Sequence, residues 1–207
     1  MIRQHSKWFL VIAALVVLAG TAGATSIAAD YLGGGSTSNF GPATGYFFTP
    51  SEDLLVTALG IFDAGTLGFA DSHEVGIFMT DGTPVVTAAL ASGLSGTFVP
   101  ATVEGTRFVP VTPAVLSGGT QYYIVGDNFQ TDAFHFGVGA VSFAPEITWD
   151  GFGDGSTNSI FSTVTNFGGQ PGNLGPNFEF QVVIPEPGTA ILMLTGFVGL
   201  VAWRRRR

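Results

Sequence analysis

Short segments in which apolar and polar residues alternate occupy most of the chain between residues 45 and 183. Strict alternation places one set of side chains on a buried face, and Val75, Ile77 and Met79 alternate in this way with Glu74, Gly76 and Thr80, apart from Phe78. Segments of this kind that are rich in β-branched and aromatic residues and bounded by turn residues predict β-strands. The predicted strands are residues 45–48, 54–62, 74–80, 85–90, 106–111, 121–125, 134–142, 147–150, 160–165 and 177–183.

The spacing of these strands predicts an antiparallel β-sandwich, since about ten of them fall in about 140 residues. The Asp81-Gly82 pair between two apolar segments predicts a hairpin, because glycine readily adopts positive φ. No segment of twelve or more residues in this region repeats apolar residues at helical spacing. The predicted fold is therefore an all-β, jelly-roll-like sandwich over residues 25–183, with helix only at the two ends of the chain. The preceding glycine-rich run, residues 33–39, predicts a linker or a loop.

Residues 106–111 and 115–124 resemble a pattern of bacterial surface jelly-roll and other β-sandwich modules. In that pattern leucine, a small residue, glycine and threonine precede a tyrosine that begins a buried strand. Gly118 and Gly119 allow a tight corner, and Tyr122 or Tyr123 is expected to fill the core while its hydroxyl reaches a backbone partner. The resemblance implies a β-sandwich and by itself assigns no activity.

The first twenty-four residues have the organisation of a secretory signal peptide. Arg3 and Lys7 form a basic start, and residues 8–18 form an apolar core too short to span a bilayer. Small residues follow, and the pattern Ala-Gly-Ala predicts cleavage after Ala24, with cuts four or five residues later as alternatives. This segment implies the Sec translocon and signal peptidase as partners, and an uncleaved N-terminal anchor is the alternative.

An apolar run with a basic end occupies the last twenty residues. Pro187 stands where a helix would begin, and residues 188–203 predict a transmembrane helix. Its uncharged part is fifteen residues long and rises about 22 Å, which is short of the roughly 30 Å hydrocarbon core of a bilayer. Trp203 fits a membrane interface, and the arginines after it are expected on the cytoplasmic side.

The tail from residue 184 to residue 207 resembles the PEP-CTERM sorting signal of proteins exported by many Gram-negative bacteria. The matching parts are Pro185, Glu186 and Pro187, then the helix, then the basic cluster Arg204, Arg205, Arg206 and Arg207. The resemblance implies recognition by exosortase, a membrane-embedded enzyme resembling cysteine proteases that cuts near the motif. An ordinary tail anchor preceded by a chance Pro-Glu-Pro is the alternative.

Between Asp30 and Val183 the chain carries fourteen acidic residues and one basic residue, Arg107, for a formal charge of −13. This balance excludes nucleic acid as a partner, because no basic patch exists to neutralise phosphates. The chain contains no cysteine, which excludes disulfides, thiolate metal ligands and a cysteine nucleophile. The stability of the domain must therefore come from its core, and seventeen of the nineteen phenylalanines lie in this segment to fill it.

Motifs for catalysis are lacking in the sequence. No serine stands in a G-x-S-x-G elbow, and the histidines His73 and His135 are isolated from each other and from zinc-binding spacing. Both histidines are interpreted as surface or strand residues. Trp149, Tyr122 and Tyr123 could stack on sugar rings, but core packing explains them better.

Calcium is the one metal for which the sequence offers a candidate site. Asp150, Asp154 and Asn158 alternate with glycines in an acidic segment, and carboxylate and amide oxygens are the ligands that calcium prefers. Phe152 and Phe161 stand where an EF-hand loop has ligands, so a glycine-rich β-loop without metal is the favoured interpretation. Asp127, Asn128 and Asp132 form a fainter candidate of the same kind, and no other cofactor is expected.

The expected function is that of an exported, non-enzymatic structural or interaction protein. It would pass through the inner membrane, held there by its C-terminal helix, and reach the cell surface or the extracellular polysaccharide matrix. A glycan-binding module, with or without calcium, and a secreted polysaccharide-cleaving enzyme are the alternatives. An aromatic platform would favour the module, and a solvent-facing pair of carboxylates beside an aromatic cleft would favour the enzyme.

Overall fold

Antiparallel strands dominate the structure, a computed structural model that describes residues 24–32, 36–38, 42–136, 141–155, 165–166 and 174–184. The all-β prediction is confirmed. The helical content of the described residues is a single 3-10 turn, Ala64–Thr66. None of the described residues belongs to a helix that could cross a bilayer. Residues 1–23 of the predicted signal peptide 1–24 and the predicted helix 188–203 lie outside the described residues.

The strand bounds follow the predicted segments closely in the middle of the chain. The strands are β1 (Ser26–Ile27), β2 (Ala29–Tyr31), β3 (Ser36–Ser38), β4 (Ala43–Pro50), β5 (Leu54–Phe62), β6 (His73–Met79), β7 (Pro84–Leu90), β8 (Thr97–Pro100), β9 (Gly105–Leu116), β10 (Tyr122–Asp127), β11 (Phe134–Phe136), β12 (Val141–Phe143), β13 (Ile147–Gly155), β14 (Thr165–Asn166) and β15 (Pro176–Val182).

Two curled sheets contain most of these strands. The five-stranded sheet has the order β1-β15-β5-β9-β8, and the six-stranded sheet has the order β14-β13-β4-β10-β6-β7. Two short antiparallel pairs, β11 with β3 and β12 with β2, complete the described strands. Within residues Ala24–Val183, which form one compact unit, the arrangement is sandwich-like.

One core lies between the two sheets. Leu59 and Phe178 of the five-stranded sheet and Tyr46 and Ile77 of the six-stranded sheet are fully buried in the same cluster. The rings of Phe48 and Phe178 meet across it with centroids 5.0 Å apart. Burying a side chain of this size contributes about 1.5–3 kcal/mol, so the phenylalanine-rich core stabilises a chain without disulfides.

The six-stranded sheet is also covered on its other face. A second buried cluster there comprises Ala43, Phe47, Phe78, Tyr123 and Val125. Strand β10 is consequently buried on both faces along its whole length. Burial on both faces explains why the sequence of β10 is continuously apolar and does not alternate between apolar and polar residues.

The two predicted turns are present with the expected chemistry. Gly82 has a φ of 93° in the turn between β6 and β7, and Thr83 N–H donates to a carboxylate oxygen of Asp81 at 2.9 Å. The hydroxyl of Tyr122 accepts a hydrogen bond from Ser117 N–H at 2.9 Å, while Gly119 turns the chain with a φ of 75°. The hydroxyl of Tyr123 donates to the carbonyl oxygen of Gly153 at 3.1 Å. The structure thus shows the tyrosine corner that the resemblance implied.

Glycine-rich segments account for the main differences from the prediction. Strand β13 continues past Asp150 to Gly155, with a bulge between Trp149 and Gly151, although its glycines resemble a loop. Ser36–Ser38 lies in the predicted linker but pairs with β11. The predicted strand 134–142 contains two strands, β11 and β12, which have different partners. Backbone hydrogen bonds hold these segments in the sheets, so their side chains give little indication in the sequence that they are strands.

Candidate functional site

The end of β15 forms the junction between the sandwich and the tail. Val183 N–H donates to the carbonyl oxygen of Asp53 at 2.9 Å, directly after the strand ends at Val182. Ile184, the last residue that the structure describes, is 58% exposed. Pro185 therefore follows two residues after the last backbone hydrogen bond that the structure describes.

The other end of the domain lies beside this junction. Strand β1 pairs antiparallel with β15, with Ser26 opposite Phe180, and Gln181 Nε2 lies 3.5 Å from Thr25 Oγ1. Antiparallel pairing brings the start of one strand next to the end of the other. The residue that follows the predicted signal-peptide cut and the residue that precedes the tail are thus neighbours at one end of the five-stranded sheet.

Residues 183–207 match the family model of the PEP-CTERM protein-sorting motif. The chain carries a PEP-CTERM sorting motif. This motif supports export and implies an exosortase as the processing partner, with the cell surface as the destination that it suggests. Pro185, Glu186 and Pro187 and the basic cluster Arg204 to Arg207 lie inside the matched range and outside the described residues. The PEP-CTERM match begins at Val183, the residue whose N–H makes the last described backbone bond of the junction.

Comparison of the whole chain with known proteins adds little to the PEP-CTERM match. No curated protein matches it. Among solved structures, an infectious bursal disease virus (IBDV) particle is similar at 13% identity and a TM-score of 0.23, over 82% of this chain and 42% of that chain. The VP2 subviral particle of infectious bursal disease virus is similar at 13% identity and a TM-score of 0.17, over 90% of this chain and 50% of that chain. This chain thus spans half or less of the length of those proteins, and scores this low support no conclusion about fold or function.

The residues proposed for calcium lie along a strand. Asp150 sits at the bulge of β13, and its Oδ2 accepts hydrogen bonds from Thr49 Oγ1 at 2.6 Å and Gln121 Nε2 at 3.1 Å. Asp154 follows four residues later on the same strand, which places its Cα about 13 Å away in extended chain. Asn158 lies outside the described residues. The strand geometry therefore separates the first two candidate ligands.

The fainter acidic candidate converges on a buried histidine. His73, at the start of β6, directs Nδ1 to the carbonyl oxygen of Asp127 at 2.6 Å and Nε2 to Asp132 Oδ2 at 3.1 Å. The carboxylate of Asp132 also accepts hydrogen bonds from Ala70 N–H at 2.8 Å and Asp71 N–H at 3.0 Å. We call His73, Asp127 and Asp132 the His73 cluster.

The contacts of His73 join segments that are distant along the chain. Nδ1 lies within hydrogen-bonding distance of a carbonyl oxygen of Asp127, and Nε2 lies beside the Asp132 carboxylate, which also accepts two backbone N–H groups. His73 thus connects the start of β6 to the end of β10 and to the loop after it.

Asp127 contributes its side chain to the same cluster. Its Oδ1 accepts a hydrogen bond from Glu74 N–H at 2.6 Å, while burial of the carboxyl group raises its pKa above the ordinary value. Asn128 Nδ2 donates to the carbonyl oxygen of Ser72 at 2.6 Å. These polar contacts hold neighbouring chain segments together, and the described residues contain no group of three or more side chains that could hold a metal ion.

A second buried ion pair lies on the five-stranded sheet. Arg107 of β9, the one basic residue between Asp30 and Val183, donates from Nε to Asp63 Oδ2 at 2.6 Å. Asp63 also accepts from Gly68 N–H at 3.1 Å, and the guanidinium carbon lies 5.4 Å from the ring centroid of Phe98. The sequence analysis noted Arg107 for its charge and did not foresee its partner.

The aromatic residues considered for sugar stacking lie in the interior. Tyr122 and Tyr123 are 4% and 1% exposed, and Trp149 packs half-buried against the main core. His73 and His135 stand at strand positions, as interpreted from the sequence, but both are buried. These side chains serve the packing of the domain.

Proposed function

We propose that this protein is a non-enzymatic structural or interaction protein of the cell surface or extracellular polysaccharide matrix. In this proposal residues 1–24 direct export through the Sec translocon and are removed by signal peptidase. Residues 25–183 form the sandwich that remains, and residues 184–207 are a sorting signal that a transmembrane helix, residues 188–203, holds in the inner membrane until exosortase acts.

The proposal rests on the geometry of the junction between β15 and the tail. Proteases bind extended chain, and the exposed Ile184 comes directly before two prolines that keep the backbone out of a helix. The last strand ends at Val182, so a cut near the motif would leave the sheet intact. The domain is thus able to lose its tail without losing a strand.

The neighbouring chain ends support the same proposal. Both predicted cuts fall at one end of the five-stranded sheet, beyond the paired residues of β1 and β15. Removal of both segments would leave that pairing in place. The mature domain would then expose two short ends from one edge and keep every described strand.

The structural role is favoured over glycan binding and glycan cleavage. Stacking on sugar rings requires exposed aromatic faces, whereas Tyr122, Tyr123 and Trp149 pack in or against the core. The acidic residues with defined partners, such as Asp63 and Asp132, have their oxygens directed to donors within the protein. These observations support a domain built for packing and stability.

Cell fractionation tests this proposal. The full chain is produced in a host with its exosortase and in the same host without it, and inner membrane and surface fractions are compared. We expect surface protein only when exosortase is present, and retention in the inner membrane when Pro185, Glu186 and Pro187 are all replaced by alanine. Glu74→Ala, at an exposed acid on the sandwich, is the control and should reach the surface. Surface protein in equal amount without exosortase would overturn the proposal, and a glycan array probed with the surface form tests the binding alternative.

A further inference from the structure

The last residues before the tail are held less firmly than the rest of β15. Up to Phe180 the strand pairs with β1 on one side and with β5 on the other. Beyond Phe180 the described backbone pairing continues with β5 alone, through Gln181 and Val182, and ends in the hydrogen bond from Val183 N–H to Asp53. The side chains of the last three residues are half-buried or exposed, and we call these residues the strand end.

Phe180 marks the point at which β15 enters the core. Phe178 and Phe180 are both fully buried in the main cluster, with ring centroids 5.8 Å apart. Drawing Phe180 out of the sheet would expose a core ring to water, whereas release of the strand end exposes no fully buried side chain. Chain ends with few buried contacts open locally at much lower cost in free energy than core strands. The strand end is therefore able to leave β5 while the rest of the sandwich stays folded.

The folded domain leaves very little chain between itself and the Pro-Glu-Pro motif. Ile184 alone separates the hydrogen-bonded Val183 from Pro185, and one extended residue spans about 3.3 Å. The two sheets of a sandwich pack about 10 Å apart, so this spacer is short compared with the thickness of the domain. A protease that encloses extended chain needs more room than this on the side of the motif that faces the domain. Release of the strand end supplies three further residues, about 10 Å of extended chain.

We propose that residues 181–183 leave β5 when exosortase binds and form the part of its recognition segment that precedes the motif. The inference rests on the proposed function, because it names residues of the sandwich that the processing enzyme contacts. The match to the sorting motif begins at Val183, so it already includes the last residue of the strand end. When opening is fast, cleavage follows the fraction of molecules in which the strand end is open. After the cut the strand end pairs with β5 again, and the mature sandwich keeps β15.

A disulfide that holds the strand end closed tests the inference, because the chain has no cysteine of its own. Val183→Cys is combined with Asp53→Cys in the full chain, since the Cα atoms of two such hydrogen-bonded residues lie about 5.5 Å apart, within disulfide range. The matched control combines Glu179→Cys with Ala58→Cys, which are paired residues of the same two strands on the other side of Phe180. Both variants are produced in a host with exosortase, with and without added reductant. Mass spectrometry follows the loss of residues 204–207 over time.

We expect the disulfide between positions 53 and 183 to slow the loss of the tail at least about tenfold, because cleavage needs the open strand end. Reductant should restore the wild-type rate, which also shows that the variant folds. The disulfide between positions 58 and 179 should change the rate less than about twofold, since that part of β15 stays in the sheet. The inference is overturned if the first disulfide forms and the rate is unchanged, or if both disulfides slow the loss equally.

A longer spacer gives a second arm that requires no cysteine. Three residues, Ser-Gly-Ser, are inserted after Val183 to supply the reach that release of the strand end supplies in the wild type. The insertion should speed the loss of the tail in the wild-type chain and restore it in the chain with the disulfide at positions 53 and 183. Failure of the insertion to restore the loss would also overturn the inference. Loss of the tail from the wild type in a host without exosortase would instead overturn the proposed function itself.

Discussion

Arg107 donates a hydrogen bond from Nε to Oδ2 of Asp63 over 2.6 Å, and the two side chains are 8% and 1% exposed. A buried charge without its partner is costly, because neither water nor the protein compensates it. Arg107→Met should therefore lower the free energy of unfolding by about 3–5 kcal/mol, measured by denaturant unfolding of the purified mature protein. Adding Asp63→Asn should restore part of this loss, because asparagine carries no charge and still accepts from Gly68 N–H. A loss below about 1 kcal/mol for Arg107→Met would show that the pair contributes no more than a surface contact.

The His73 cluster leads to a prediction about the stability of the folded domain. His73→Leu removes a ring that contacts Asp127 and Asp132 and leaves the Asp132 carboxylate with its two backbone donors only. We expect a loss of about 1–3 kcal/mol in the free energy of unfolding, less than for Arg107 because Asp132 keeps partners and is 13% exposed. Asp132→Asn should have an effect of similar direction, and Asp71→Asn, at an exposed acid of the same loop, should have almost none. A loss below about 0.5 kcal/mol for His73→Leu, or an equal loss for Asp71→Asn, would contradict the cluster as described.

Much of the sandwich could be predicted because the residues within each strand are enough to indicate it. Strand β5 begins at Leu54 and ends at Phe62, as its β-branched and apolar residues predicted. Gly82 and the tyrosine corner at Tyr122 were equally visible, since each depends on residues within a few positions along the chain. Local chemistry of this kind needs no knowledge of the rest of the fold.

The buried ion pairs could not be predicted because their members are distant in sequence. His73 and Asp132 are 59 residues apart, and Arg107 and Asp63 are 44 residues apart. Neither spacing is a motif, and only the pairing of the strands brings the members together. The same reason explains why β8 was not predicted, since its four residues, Thr97–Pro100, follow a glycine and end in a proline and become a strand by pairing with β9.

Glu179 gives a prediction about pH. Burial of this half-buried carboxyl group on β15 raises its pKa above the ordinary value. A carboxyl group whose pKa is higher in the folded than in the unfolded protein favours folding in acid, and this contribution is lost as pH rises through the folded-state pKa. Glu179→Gln should therefore gain stability relative to the wild type at neutral pH, by on the order of 0.5 kcal/mol because solvent screens the exposed part, and the gain should disappear in acid. Thermal melting at several pH values measures it, with the exposed Glu52→Gln as control, and a gain that grows in acid would contradict the assignment.

The calcium candidate leads to a fourth prediction. Because Asp150 is already bonded to Thr49 and Gln121 and Asp154 lies farther along the same strand, we expect millimolar calcium to leave the melting temperature unchanged. A ligand that binds the folded state at a hundred times its Kd stabilises by about 2.7 kcal/mol, which melting detects easily. A rise in melting temperature with calcium that is lost with chelator and in Asp150→Ala would restore the metal site.

The sorting motif is the central claim, and the C-terminal peptide of the mature protein tests it most directly. The last described strand ends at Val182, Val183 makes the last described backbone hydrogen bond, and the sequence then places Pro185 and Pro187, which disfavour helix, within the range matched by the sorting motif. Mass spectrometry of protein recovered from the surface of a host with exosortase should find a C-terminus between residues 184 and 188 and no peptide from residues 204–207. An intact Trp203-Arg204 peptide in surface-exposed protein from that host would contradict the account and show that the tail is a permanent anchor.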